Sequence, residues 1–297
     1  MRSKSQWWWM RSIWNWPSAH CIPLLTWQTR MSATTPDAFA GIDRLYGQGA
    51  YTVFQAAHVA VVGVGGVGSW VVESLARSGV GHLTLADLDD ICVTNTNRQV
   101  HTTRDTIGQS KIEAMAHRAQ AIHPQLQISL IHGFVTEKTV AEQITDRLDY
   151  VIDCGDNQMA KSALIAHCRR LRIPVLTVGA AGGRIDPSKI QVRDLSKTDG
   201  DALLASVRQT LRNRHGFSRT PGKRFSVPAV YSDEQTRYLQ ADGQIGQQKP
   251  GGASHLDCAG SLGAVTHVTA TFGLYATARV LDDLLTHQLR ASDLASD

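Results

Sequence analysis

Four short stretches hold the residues that could do chemistry. The first is GVGGVGS, residues 63–69, directly after the apolar run HVAVV. Gly63, Gly65 and Gly68 fit GxGxxG, and Gly66 adds a fourth glycine. Glycine lets the backbone turn sharply and brings amide N–H groups close to an anion. The N-terminus of a following helix adds the positive end of its dipole. The second stretch is DLDDICVTNTNRQVH, 87–101. It opens with Asp87 at the end of an apolar run, where a carboxylate can accept hydrogen bonds from ribose hydroxyls. It continues through Asp89 to a polar and cationic group, Asn95, Asn97, Arg98 and Gln99. The third is GQSK, which sets Lys111 at the start of a predicted helix, and the fourth is CGDN, with Asp156 and Asn157.

The glycine loop and Asp87 alone would suit a dinucleotide. The cations that follow do not. Arg98 and Lys111 near a phosphate loop fit a triphosphate, which carries far more charge. A carboxylate such as Asp156 at a strand end can hold Mg²⁺ over those phosphates. No GxxxxGK[ST] occurs, so the loop is not of the P-loop type.

Strands and helices must bring these stretches together. Apolar runs at 58–64, 82–89, 127–134, 149–156 and from Pro174 read as strands. Periodic segments at 69–78, 111–123, near 137–146 and at 160–171 read as the helices between them. Regular alternation predicts an α/β, Rossmann-like fold, a mostly parallel sheet with helices on both faces. The carboxyl ends of parallel strands share one edge, so the four stretches should converge. A smaller C-terminal α+β extension is expected beyond residue 195. It holds a helix near 201–212, a basic loop at 215–225, an extended stretch VPAVYS, a Gly/Gln-rich loop at 241–254 expected to be mobile, and a final packed helix from about 261 to 287.

Composition narrows the class. The 297 residues carry a formal charge of +4. Arg2, Lys4, Arg11 and Arg30 lie in an acid-free segment, and from Met31 onward acids and bases balance. Global charge therefore says nothing about a nucleic-acid partner. Residues 1–30 also hold six of the seven tryptophans, with no helical period and no signal-peptide pattern. They are read as a disordered leader. Five scattered cysteines without a CxxC pair suggest neither a disulfide framework nor zinc, and a cytoplasmic protein is expected.

The four motifs, in this order and spacing, resemble the adenylation domain of ubiquitin-activating-type enzymes, which include the activators of molybdopterin-synthase and thiamine sulfur-carrier proteins. The resemblance implies an ATP-binding domain over 31–195. It implies that Asp87 holds the ribose, that Asn95, Arg98, Gln99 and Lys111 handle the triphosphate, and that Asp156 handles Mg²⁺. Arg44, in GIDRLYG, resembles an arginine that reaches the partner subunit's ATP in these dimers, so a homodimer is expected. The implied chemistry is attack of a carboxylate on the α-phosphate, giving an acyl-adenylate and pyrophosphate.

RLYG, CVTNTNRQVH and the tail LDCAGSLGAVTHVTATFGLYA resemble one branch more closely, the tRNA threonylcarbamoyladenosine dehydratases. That branch adenylates the threonyl carboxylate of a modified adenosine beside the anticodon and closes a ring with loss of AMP. A cysteine desulfurase and its sulfur-acceptor protein are its associated partners. The other activity in view is adenylation of a small ubiquitin-like protein's C-terminal glycine. Cys258, after the expected mobile loop, stands where a thioester cysteine would be, but ring closure needs none. Local support for tRNA comes from Arg208, Arg212, Arg214, Arg219, Lys223 and Arg224, with no acid between 202 and 232. Such a cluster fits phosphate contacts.

Overall fold

The computed structural model describes residues 35–249 and 262–296. The described residues from Ile42 onward form one compact unit. The leader at 1–30, residues 250–254 of the Gly/Gln-rich stretch, and Cys258 lie outside the described residues.

The chain enters through α1 (Thr35–Tyr46) and α2 (Ala50–Ala56) and then alternates: β1 (His58–Val62), α3 (Gly68–Arg77), β2 (His82–Asp87), α4 (Lys111–Ile122), β3 (Gln127–His132), the short α5 (Val140–Gln143), β4 (Tyr150–Asp153), α6 (Gln158–Leu171) and β5 (Val175–Val178). Next come β6 (Ile190–Asp194), α7 (Ala202–Arg214), β7 (Pro228–Ser232), the hairpin β8 (Tyr238–Leu239) and β9 (Ile245–Gly246), and the long α8 (Thr266–Ser296).

One seven-stranded sheet runs β3-β2-β1-β4-β5-β7-β6. Its pairs are parallel except β6 with β7. The mostly parallel α/β fold is therefore as expected. The strand period of two splits the core. Val59, Val61, Leu83 and Leu85 point to one face and meet Val71, Val72 and Leu75 of α3, Ile112 and Met115 of α4, and Val268, Phe272 and Val280 of α8. Ala60, Val62 and Val151 point to the other, against Leu164 and Ile165 of α6 and Leu204, Val207 and Leu211 of α7. Both faces are covered, as apolar parallel strands require.

The region after residue 195 is not confined to an appendage. VPAVYS becomes β7, which pairs in parallel with β5 and separates it from β6. Sequence reasoning had no means to see this, because the pairing is non-local and its partner strands look alike. The segment near 137–146 forms only one helical turn, α5. Within the Gly/Gln-rich stretch, Ile245 pairs with Leu239, so its described part closes a small hairpin. Among the described residues no helix is long and apolar enough to cross a membrane.

Candidate active site

The strand order reverses direction at β1, since β2 and β3 lie on one side and β4 and β5 on the other. In such sheets the crevice for a ligand opens at the carboxyl ends beside the reversal. Here that crevice lies between the ends of β1 and β4. The glycine loop leaves β1 at Gly63, and the turn carrying Cys154, Gly155 and Asp156 leaves β4. The two are in close contact. A Cβ on Gly63 would lie 3.0 Å from the Cys154 carbonyl carbon and from the Gly155 nitrogen, and φ is +85°. A Cβ on Gly68 would collide with the Gly63 carbonyl oxygen. Only glycine permits both approaches. The first turn of α3 has no side-chain cap, with Val67 at the N-cap position. The Ser69 and Trp70 N–H groups donate to the Gly65 and Val67 carbonyls at 3.1 and 3.0 Å, so what the helix start offers an anion is the positive end of its dipole together with the glycine-loop backbone ahead of Ser69.

Asp87 ends β2 almost wholly buried. Its Oδ2 accepts the Val64 N–H at 2.7 Å, and its Oδ1 accepts the Asp89 N–H at 3.0 Å. The carboxylate thus ties the glycine loop to the end of β2. Two residues on, Asp89 Oδ2 accepts a bond from Lys111 Nζ at 2.7 Å. Lys111 is buried at the first turn of α4, while Asp89 is more than half exposed. This leaves a low-dielectric cation whose one side-chain partner among the described residues can yield to solvent.

The loop from 92 to 98 carries the remaining polar group. Asn95 is buried, and its Oδ1 accepts the Cys92 N–H at 3.0 Å, closing the turn at 93–95. That oxygen is spent on the backbone rather than presented to a ligand. Arg98 donates from Nη1 to the Thr94 carbonyl at 2.8 Å and to Asn97 Oδ1 at 3.0 Å. Its side chain lies beside the glycine loop, 3.5 Å from where a Cβ of Gly66 would stand. Gln99 is likewise near the loop, 3.8 Å from the corresponding position at Gly65, and its Oε1 has no described partner. The Arg98 carbonyl accepts Trp70 Nε1–H at 3.0 Å and Thr269 Oγ1–H at 3.3 Å. Asn97 donates from Nδ2 to the Ala264 carbonyl at 2.7 Å. The start of α8 therefore braces the loop that carries Arg98.

Asp156 is exposed, and no described side chain bonds to it. Asn157 beside it caps α6, its Oδ1 accepting the N–H groups of Met159 and Ala160. Asp156 projects from the rim of the crevice, where a cation held mainly by phosphate and water oxygens would fit. Among the described residues no group of three or more His, Cys, Asp and Glu could hold a metal.

Arg44 is exposed in the last turn of α1. The basic segment at 208–224 is only partly free. Arg208 donates to Thr198 Oγ1, Arg212 lies 5.3 Å over the Phe225 ring, Arg219 bonds Asn213 Oδ1, and Arg224 pairs with Asp194 at 3.6 Å. Arg214 and Lys223 are exposed with no such ties. The acid-free stretch along the chain is thus not acid-free in space, since Asp194 comes from β6. The segment does lie near the crevice. Gln158 Nε2, in the first turn of α6, donates to Thr210 Oγ1 of α7 at 2.6 Å.

Sequence reasoning passed over several residues of the site's framework. Asp153 and Lys161 form a buried ion pair at 3.0 Å. Arg184 is buried after β5 and donates to the carbonyls of Ala180, Gly200 and Glu234. Buried Glu73 accepts from Arg118 Nε at 2.7 Å. Asp153, Lys161 and Glu73 read as strand or helix residues, where only a charge in an otherwise apolar run could have marked them, and Arg184 read as part of the connection after strand five.

Fold and site together define an α/β nucleotide-binding protein of the adenylating type. The chain belongs to the ThiF family, whose model matches residues 41–287. It is 45% identical over 266 residues to the tRNA threonylcarbamoyladenosine dehydratase of Escherichia coli (strain K12), covering 88% of this chain and 99% of that protein. The Haemophilus influenzae protein of the same name is also 45% identical, over 83% of this chain and 93% of its own. The crystal structure of the E. coli tRNA N6-threonylcarbamoyladenosine dehydratase TcdA in complex with ATP superposes with a TM-score of 0.76 at 43% identity, covering 86% of this chain and 96% of that one.

Proposed function

We propose that this chain is an ATP-dependent tRNA threonylcarbamoyladenosine dehydratase. What supports the reading is 45% identity to two dehydratases over 88% and 83% of this chain, together with a glycine loop that has Arg98 and the turn before Asp156 beside it. ATP enters with its phosphates over the glycine loop and the first turn of α3. Gln99 lies beside that loop with Nε2 its nearest atom, a donor for phosphate oxygens, and Lys111 turns from exposed Asp89 toward the phosphates. Asp156 would hold Mg²⁺, which would supply neutralisation of the phosphate charge. The threonyl carboxylate attacks the α-phosphorus, the bond to the bridging oxygen breaks, and pyrophosphate leaves. Arg98 offsets the charge that builds on the leaving group. The substrate's own urea-like nitrogen then attacks the activated carbonyl carbon, loses its proton and expels AMP, so one water is lost overall.

Arg214, Arg219 and Lys223 grip tRNA phosphates beside the crevice. Two copies share the sites, with Arg44 of each reaching the other's ATP. The work belongs in the cytoplasm, with a cysteine desulfurase and its acceptor protein as partners. The test is direct. Protein, ATP, Mg²⁺ and tRNA carrying N6-threonylcarbamoyladenosine are incubated, and the nucleosides are analysed by mass. A product lighter by one water, with one AMP per event, is expected, and an unchanged nucleoside overturns the reading. Cys258→Ser should retain the activity. An inactive but folded and ATP-binding variant would move the protein toward activation of a small protein's C-terminal glycine.

A further inference from the structure

Behind the turn that carries Asp156 lies a charged pair that none of the chemistry above employs. The side chains of Asp153 and Lys161 are 2% and 1% exposed. Lys161 stands one turn into α6 and reaches back toward β4. Its Nζ pairs with Asp153 Oδ2 at 3.0 Å and donates to the carbonyls of Gly155 at 2.9 Å and Asp153 at 3.3 Å. All three partners belong to residues 153–155, so the three ammonium protons end on one turn. From β5, Thr177 Oγ1–H donates to Asp153 Oδ2 at 2.7 Å, and the Gly155 N–H reaches Asp153 Oδ1 at 3.3 Å. The turn is therefore clamped from α6 on one side and from β5 on the other. Asp156 is the next residue along the chain, and the same turn is the one pressed against Gly63.

A buried ion pair is a poor way to gain stability, because desolvation offsets most of the attraction and an apolar pair of equal volume often does as well. What the pair does supply is a single geometry. We propose that Lys161, acting through Asp153, is a positioning residue that fixes the main chain of 153–155 and with it the place of the Asp156 carboxylate. The inference rests on the reading of Asp156 given under the proposed function.

Four variants test it beside the unaltered protein. Lys161→Met removes the clamp but strands the Asp153 charge. Asp153→Asn with Lys161→Met removes both charges and restores a neutral interior. Thr177→Val loosens the β5 side at nearly constant volume. Asp156→Asn reports on the carboxylate itself. The first readout is amide hydrogen exchange over residues 153–157 with no nucleotide or metal present. The second is AMP formation with tRNA, as kcat, as KM for ATP and as the half-saturating Mg²⁺ concentration. The folded double variant should exchange at least tenfold faster over 153–157 alone. It should lose at least tenfold in kcat and need severalfold more Mg²⁺, with KM for ATP moving less. Thr177→Val should shift the same quantities two- to threefold. Unchanged exchange in the double variant and in Thr177→Val overturns the positioning role. So does a normal Mg²⁺ requirement in those variants when Asp156→Asn raises it. If Asp156→Asn leaves the Mg²⁺ requirement unchanged, the reading of Asp156 itself fails and takes this inference with it.

Discussion

His101 closes the stretch that carries Arg98 and is 2% exposed, with neither ring nitrogen hydrogen-bonded to a described residue. Burial pushes its pKa down to about 4, and the nearby charges of Lys111 and Arg118 push the same way. The folded protein therefore holds it neutral. Above pH 6.5 the unfolded chain is neutral there too, and the contribution to stability is complete. As pH falls from 6.5 toward 4 the unfolded chain takes up the proton first, and stability is lost, by roughly 3 kcal/mol at the acid end. Urea titrations at steps between pH 7.5 and 4.5 should show this slope, and His101→Gln should flatten it. Lys111 allows a second prediction at this scale. Its Asp89 partner is exposed, so Lys111→Ala should leave the fold intact. It should weaken ATP binding by about 10- to 100-fold in calorimetry, the range for hydrogen bonds to a charged group. Gly68 allows a third. A methyl there has nowhere to go but into the Gly63 carbonyl, so Gly68→Ala should abolish ATP binding and lower the thermal midpoint together.

Helix α7 and the loop after it divide their cations by task. Arg208 and Arg212 are half-buried and tied to Thr198 and the Phe225 ring, so they brace α7 against the body. Arg214 and Lys223 are exposed and untied, and Arg219 is exposed with one neutral partner. Replacing those three by Ala should weaken tRNA binding and reduce the salt slope by about one unit per lost phosphate contact, with ATP affinity unchanged. Arg212→Ala should instead lower stability, because a guanidinium over an aromatic ring contributes about 0.5–2 kcal/mol. A salt slope untouched by the triple change would remove this segment from the tRNA surface. The start of α8 has a different task. Its bonds to Asn97 and Arg98 make the placing of Arg98 depend on a helix far away in sequence.

At the scale of the whole molecule, Arg44 makes no hydrogen bond or ion pair with another described side chain. It is exposed in the last turn of α1, ahead of the first strand in the chain. The proposed exchange of Arg44 between two copies predicts complementation. Arg44→Ala and Asp156→Ala chains should each be inactive alone. Mixed, they should recover up to about half of the activity per hybrid pair, because one of the two sites is then whole. Sedimentation should show a dimer at assay concentration. A monomer with full activity would end the shared-site reading.

The sequence alone determined the alternation of strands and helices, the glycine loop, and the cations that separate a triphosphate from a dinucleotide. These are local signals. A period of two or 3.6, a φ near +85° at Gly63, or a lysine at a helix start leaves its mark within a few residues. The rim of the crevice was legible too, because parallel strands deliver their carboxyl ends to one edge. Only the tertiary structure decided that β7 enters the sheet between β5 and β6. Only it showed that Asp194 faces Arg224, that Asn95 turns its oxygen to the backbone, and that Lys161 reaches back to Asp153. Each of these depends on which distant surface a side chain or strand meets. Burial then sets the strength of the contact, as it does for the Asp153–Lys161 pair beneath the Asp156 turn.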